Sequence, residues 1–106
     1  MVRKSKYAAI PTVVDGIRFA SKREARRYGE LRLLERAGEI ASLELQPTFP
    51  CVVSGAKVCT YIADFAYTSE AGKRVVEDVK GVKTPVYRLK KKLVEAIYQN
   101  VTIVEV

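Results

Sequence analysis

The chemistry-bearing residues of this chain concentrate in one stretch, IADFAYTSEAGKRVVEDVKG, which begins at Ile62. Asp64 interrupts one apolar run, and Asp78-Val79-Lys80 closes the next. A charge inside a buried strand is costly unless it is paired or binds a metal. Asp78 and Lys80 are two apart, so on a strand they share a face, while Glu77 takes the other. A turn centred near residues 70 and 71 sets Asp64 opposite residue 77 or 78. Two neighbouring carboxylates repel each other, and a divalent cation resolves the conflict. Mg²⁺, with Mn²⁺ as the alternative, takes oxygen ligands: one or two carboxylates, waters and a substrate phosphate. A lysine beside such a site can orient or deprotonate water, or stabilise charge on a phosphate.

The remaining composition narrows the alternatives. The chain has no histidine and two cysteines, Cys51 and Cys59, which removes His-dependent nucleophilic and metal chemistry. Two thiols fall short of the four ligands of a zinc site. They could face each other across a hairpin, and for an intracellular chain two buried free thiols are expected ahead of a disulfide. Nineteen basic residues against twelve acidic give +7, which favours a polyanionic partner. There is no apolar run of membrane-spanning length and no secretory signal, so no membrane role is expected and a cytoplasmic location is.

The 106 residues suffice for one domain, expected over residues 13–106 behind a basic arm at residues 1–12. VVDGIRF at 13–19 reads as a hairpin about Asp15-Gly16. Ser21 is a helix N-cap with Glu24 in the capping-box position. Ala25, Tyr28, Leu31 and Leu34 give that helix an apolar face, Arg23, Arg26, Arg27 and Arg36 line the opposite one, and Gly38 ends it. Residues 40–53 read as one extended segment bent by Pro47 and Pro50, residues 58–67 as a second strand and 73–80 as a third. Thr84-Pro85 opens a second helix with Val86, Leu89, Leu93 and Ile97 as its apolar stripe. VTIVEV at 101–106 is a last strand, able to pair parallel through a crossover. The fold class is α/β: an αβββαβ core with a mixed central sheet flanked by two helices, plus the N-terminal hairpin.

The pattern Asp64…Asp78-Val79-Lys80, set in that element order, resembles the PD-(D/E)xK nuclease superfamily. Ala63 stands where the motif has proline. DGIRFASKREARRY, ERAGEI, LQP, ADF and VEDVKG together resemble a phage- and prophage-borne family of unknown function, over roughly residues 6 to 106. The superfamily includes restriction enzymes and Holliday-junction resolvases. The resemblance implies a restriction-endonuclease-like core and a metal-dependent DNA endonuclease. Asp64, Asp78 and the Val79 carbonyl would hold the metal, Lys80 would be the catalytic lysine, and Glu24 the helix glutamate of many members. Gln46 is a candidate accessory residue.

Each residue also has a plainer reading. Glu24 can serve only the capping box, and Gln46 can be a polar residue before Pro47. Glu77 reads as a surface ion pair or a replacement ligand. Arg88, Lys90, Lys91 and Lys92 can be a solvated helix face, or, with Arg23, Arg26 and Arg27, a phosphate-contacting surface. Tyr28 and Tyr87 read as core-edge residues. So small a domain has little surface for reading sequence. Branched DNA is therefore the expected substrate class, and a homodimer would be needed to cut both strands. The alternatives are a non-catalytic nucleic-acid-binding protein on a nuclease fold and an RNA-directed nuclease. A phage-encoded protein of this kind would act in the host cytoplasm.

Overall fold

The computed structural model describes residues 10–79 and 83–106. Most of the expected basic arm and Lys80 lie outside the described residues.

Asp15 and Gly16 close a hairpin of β1 (Thr12–Val14) and β2 (Ile17–Phe19). Both have positive φ, 54° and 74°, the backbone that a two-residue hairpin turn requires. Helix α1 (Lys22–Arg36) begins where the Ser21 hydroxyl accepts the Glu24 N–H at 3.1 Å. It ends at Ala37, and Gly38 at φ 79° turns the chain away at no steric cost. Ala25, Tyr28 and Leu31 are buried, as their spacing predicts, whereas Leu34 lies at the solvent boundary.

Two long strands expected from the sequence are each broken. Residues 40–53 form β3 (Ile40–Leu45) and β4 (Thr48–Val53), separated by Gln46-Pro47. The second run divides into β5 (Ala56–Ile62) and β6 (Phe65–Ser69), separated by Ala63-Asp64. The breaks face each other. Gln46 N–H donates to the Asp64 carbonyl at 2.9 Å, and Ala63 N–H donates to the Pro47 carbonyl at 3.1 Å. Pro47 has no N–H to continue a ladder, and Gln46 adopts φ 50°. The ribbon therefore turns here and leaves the main sheet as a separate β4–β5 hairpin.

The main sheet has the order β3-β6-β7-β8, with β7 (Arg74–Asp78) and β8 (Val101–Glu105). β3–β6 and β6–β7 are antiparallel. β7–β8 is parallel, joined by a crossover through α2 (Pro85–Ile97). The sheet is mixed and flanked by two helices, which is the expected α/β class. Strand alternation divides the core. Phe65 packs with Phe19, Ala25, Tyr28 and Leu31 of the α1 side. Ala66 and Val76 pack with Tyr87, Val94 and Ile103 on the α2 side, together with Cys51 and Tyr61 of the hairpin.

α2 starts as its sequence predicts, with Thr84 Oγ1 accepting the Tyr87 N–H at 3.1 Å and Pro85 in the first turn. Its apolar stripe is rotated from the expected one. Tyr87 and Val94 are buried, while Val86 and Leu89 stay 63% and 68% exposed. The hairpin is the cause, because it lies on α2 and sets which face turns inward. Tyr98 Oη donates to the Pro50 carbonyl at 2.6 Å and Lys90 Nζ to the Thr60 carbonyl at 3.3 Å, both on hairpin strands. No helix among the described residues is long and apolar enough to cross a membrane.

Candidate active site

The double strand break positions the candidate site. Asp64 is not in the middle of a strand; it stands at the bend just before β6, beside Gln46 at the end of β3. Glu24 comes from the first turn of α1 and is buried. These three residues line one cleft of about 210 Å³ with Arg18, Phe19 and Leu45. Three candidates separated by up to 40 positions in sequence (64 minus 24) thus meet at one end of the sheet. The bond to Ser21 uses the Glu24 backbone N–H, and the buried Glu24 side chain lines the cleft.

Asp78 ends β7. Phe65 pairs with Glu77, so Asp64 and Asp78 hold the next positions on adjacent strands. The Val79 N–H donates to Asp64 Oδ2 at 2.7 Å, tying the end of β7 to the β5–β6 break. Asp78 is fully buried, and across the parallel pair it faces Glu105. Burial first, then the hydrogen bond to Glu105 and the nearby Asp78 charge, push the Tyr87 hydroxyl well above its ordinary pKa.

Glu77 corrects its expectation as a surface residue. It is 1% exposed and lies on the α1 face. Arg27 grips it through Nε to Oε1 at 2.7 Å and Nη2 to Oε2 at 2.6 Å, and the Tyr67 hydroxyl donates to Oε2. The bond to Glu77 raises the Arg27 pKa further. Burial first, then the bond to Glu77, pushes the Tyr67 hydroxyl up to about 12. Arg27 is therefore also corrected. It reaches inward to the sheet instead of facing solvent with Arg23 and Arg26, which are exposed.

The basic residues of α2 separate likewise. Lys90 is turned to the hairpin backbone. Arg88, Lys91 and Lys92 line a cleft of about 510 Å³ with Lys83, Glu95 and Glu105. Lys83 and Lys91 each lie 3.5 Å from Glu105. The Tyr87 hydroxyl, then the two lysines, hold Glu105 below the usual carboxylate range. Four cations against two carboxylates leave this cleft positive. It lies on the α2 side of the sheet, opposite Arg23 and Arg26 of α1, so the two basic groups occupy different faces of one protomer.

The sequence reading missed Arg18, Lys83 and Tyr67. Arg18 lies within DGIRFASKREARRY and Lys83 just after VEDVKG, and only the fold places them on the clefts. Tyr67 is two residues after Phe65, and that spacing places both on one face of the strand, which the fold turns toward α1.

The donor set is all oxygen. Among the described residues no three Cys, Asp or Glu side chains gather into a cage that could hold a metal by themselves. Two carboxylates and a backbone carbonyl at the ends of adjacent strands fit a hard cation that completes its shell with water and phosphate.

A mixed four-stranded sheet between two helices, with carboxylates gathered at one end and a basic cleft beside it, defines the protein as a small α/β type. The chain belongs to the family described as "Protein of unknown function (DUF1064)", whose profile matches residues 4–106. No curated protein and no solved structure matches it.

Proposed function

We propose that this protein is a metal-dependent DNA endonuclease of the PD-(D/E)xK type. The observation that carries the reading is the convergence of Glu24, Gln46 and Asp64 on one cleft, with Asp78 at the adjoining strand position. The candidates come from three separate elements.

Asp64, Asp78 and the Val79 carbonyl would hold Mg²⁺ or Mn²⁺. The bound ion supplies charge neutralisation and acidification of water. The protein's own groups do the rest. Glu24 orients the water nucleophile from the wall of the cleft, and Gln46 positions a phosphate oxygen through its amide. Lys80 bears the positive charge against the developing negative charge on phosphate. Hydrolysis breaks the bond to the 3′ oxygen and leaves a 5′-phosphate, as the superfamily resemblance implies. The cleft of Lys83, Arg88, Lys91 and Lys92 supports a polyanionic substrate, because its net positive charge can hold successive phosphates. The limited surface favours branched DNA, cut by a homodimer with one site for each strand.

The deciding experiment incubates the full chain with plasmid, single strands, flaps and four-way junctions in Mg²⁺, Mn²⁺ or EDTA. Cleavage dependent on the cation and absent in Asp64→Asn and Asp78→Asn is the expected result. Binding without cleavage under every metal condition sinks the enzyme reading and leaves the non-catalytic one. Preferential cutting of RNA moves the assignment to an RNA-directed nuclease.

A further inference from the structure

The two cysteines lie outside the candidate site, yet the fold places them face to face. Cys51 of β4 and Cys59 of β5 are directly registered partners in the hairpin. Both are free thiols, and they are the chain's only two. Directly opposed residues on antiparallel strands have Cα atoms about 4.5–5.5 Å apart, within the range that a disulfide spans. The ladder shifts register immediately after Cys51, where Val52 pairs with Lys57, so the pair sits against a bulge. A bulge loosens the ladder locally and gives the strands room to adjust to a new bond.

The two thiols differ in access. Cys51 is fully buried, with its Sγ–H directed at the Phe49 carbonyl at 3.7 Å; Cys59 is half-buried. Burial, and then contact with the Cys59 thiol, raise the Cys51 pKa, against a smaller opposing pull from Lys90. An isolated buried thiol is inert, but a buried thiol behind an accessible one is placed as a resolving partner.

We propose that Cys51 and Cys59 form a dithiol modification site that closes to an intramolecular disulfide by exchange with a low-molecular-mass disulfide. The Cys59 thiolate attacks one sulfur of the small disulfide, breaks its S–S bond and releases one small thiolate. The new mixed disulfide joins Cys59 to the other half. Cys51 loses its proton to solvent, attacks Cys59 Sγ and expels the second small thiolate. Two protein thiols are oxidised by two electrons, and one small disulfide is reduced to two thiols. Closure cross-links the hairpin that packs on α2, five residues before Asp64. The proposal does not depend on the nuclease reading.

The test exposes the folded full chain to glutathione buffers of increasing oxidised fraction, followed by acid quenching, thiol counting and intact-mass measurement. The wild type is expected to lose both thiols together, with a loss of two hydrogens, no retained glutathione and no covalent dimer. Cys51→Ser, which keeps a donor for the Phe49 carbonyl, is expected to hold glutathione on Cys59. Cys59→Ser is expected to keep its Cys51 thiol unmodified while folded. Two thiols surviving in fully oxidised buffer would overturn the proposal. So would a stable glutathione adduct on the wild type, or a disulfide between chains. The wild-type result decides even if a variant fails to fold.

Discussion

Glu24 and Arg27 stand one turn apart on α1 and point to the same side of the molecule, yet their surroundings differ. Arg27 meets Glu77, and the pair is closed by two short bonds and the Tyr67 hydroxyl. Donors and acceptors match, so the cluster holds helix to sheet. Among the described residues, Glu24 instead shares its cleft with a second carboxylate, Asp64, and with Arg18. Grouping like charges lowers stability unless a counter-charge or a ligand balances it. The comparison separates two acidic residues adjacent in sequence. Glu77 closes the Arg27–Tyr67 cluster, and Asp78, one position on and across the sheet, is the carboxylate proposed to work with Asp64.

The largest expected effect tests the cleft side of that comparison. Asp64→Asn and Asp78→Asn should each lower cation-dependent cleavage by about 1,000-fold or more. Their binding to DNA should hold or tighten, since each removes a negative charge near the proposed phosphate position. Glu24→Gln should lower the rate by about 100-fold, the scale of a lost acid–base or water-orienting group. Its helix should persist, because the bond from the Glu24 N–H to Ser21 remains. Rates and unfolding midpoints measured on the same preparations check both halves. A normal rate in Glu24→Gln returns that residue to the capping role.

The next effect belongs to the balanced cluster. Glu77→Ala leaves Arg27 with its exposed partner Glu30 at 3.7 Å and strands the Tyr67 hydroxyl beneath α1. Breaking one partner of a buried pair should cost about 3 kcal/mol in denaturant unfolding. Arg27 keeps some solvent contact, which places the cost at the lower end of the usual span. If Glu77→Ala costs no more stability than Asp64→Asn, the division between structural and functional carboxylates collapses.

Tyr67→Phe sharpens the same cluster with a smaller change. It removes one donor to a buried carboxylate, at about 1.5 kcal/mol near neutral pH. The pH dependence follows from the raised hydroxyl. The folded state favours the neutral phenol, so its contribution is fully present below the ordinary value of 10.0 and lost as pH rises through about 12. Wild-type stability should therefore fall across that alkaline window, and Tyr67→Phe should fall less. Equal slopes for the two proteins would mean that Tyr67 carries none of the alkaline loss.

Much of the framework is legible in local signals. Asp15-Gly16, Ser21, Gly38 and Thr84-Pro85 mark turn and helix ends because each meets a backbone need within a few residues. The strand breaks are not legible in the same way. Pro47 announces a bend, but nothing local at Ala63-Asp64 shows that the second strand turns at the same level. That becomes clear only when Gln46 and Asp64 are paired across the ribbon. The α2 stripe shows the same limit. Val86, Leu89, Leu93 and Ile97 satisfy helical periodicity, but the hairpin chooses the Tyr87–Val94 face. The roles of Glu77 and Asp78 depend on which helix lies over each face, which sequence spacing alone cannot supply.

The smallest effect lies at the bend itself. Gln46 holds φ 50°, a left-handed conformation that costs a side-chain-bearing residue about 1 kcal/mol. Gln46→Gly removes that cost but adds backbone entropy to the unfolded chain, by about 0.5–1 kcal/mol. The two nearly cancel, so unfolding free energy should change by less than about 0.5 kcal/mol. Gln46→Val, β-branched at the same backbone angle, should lose more than about 1 kcal/mol. Cleavage then separates bend from side chain. If Gln46 only shapes the ribbon, Gln46→Gly cuts at the wild-type rate. If its amide positions phosphate, the glycine variant cuts more slowly at unchanged stability. Gln46→Asn, which accepts left-handed φ but has a shorter amide, should fall between them.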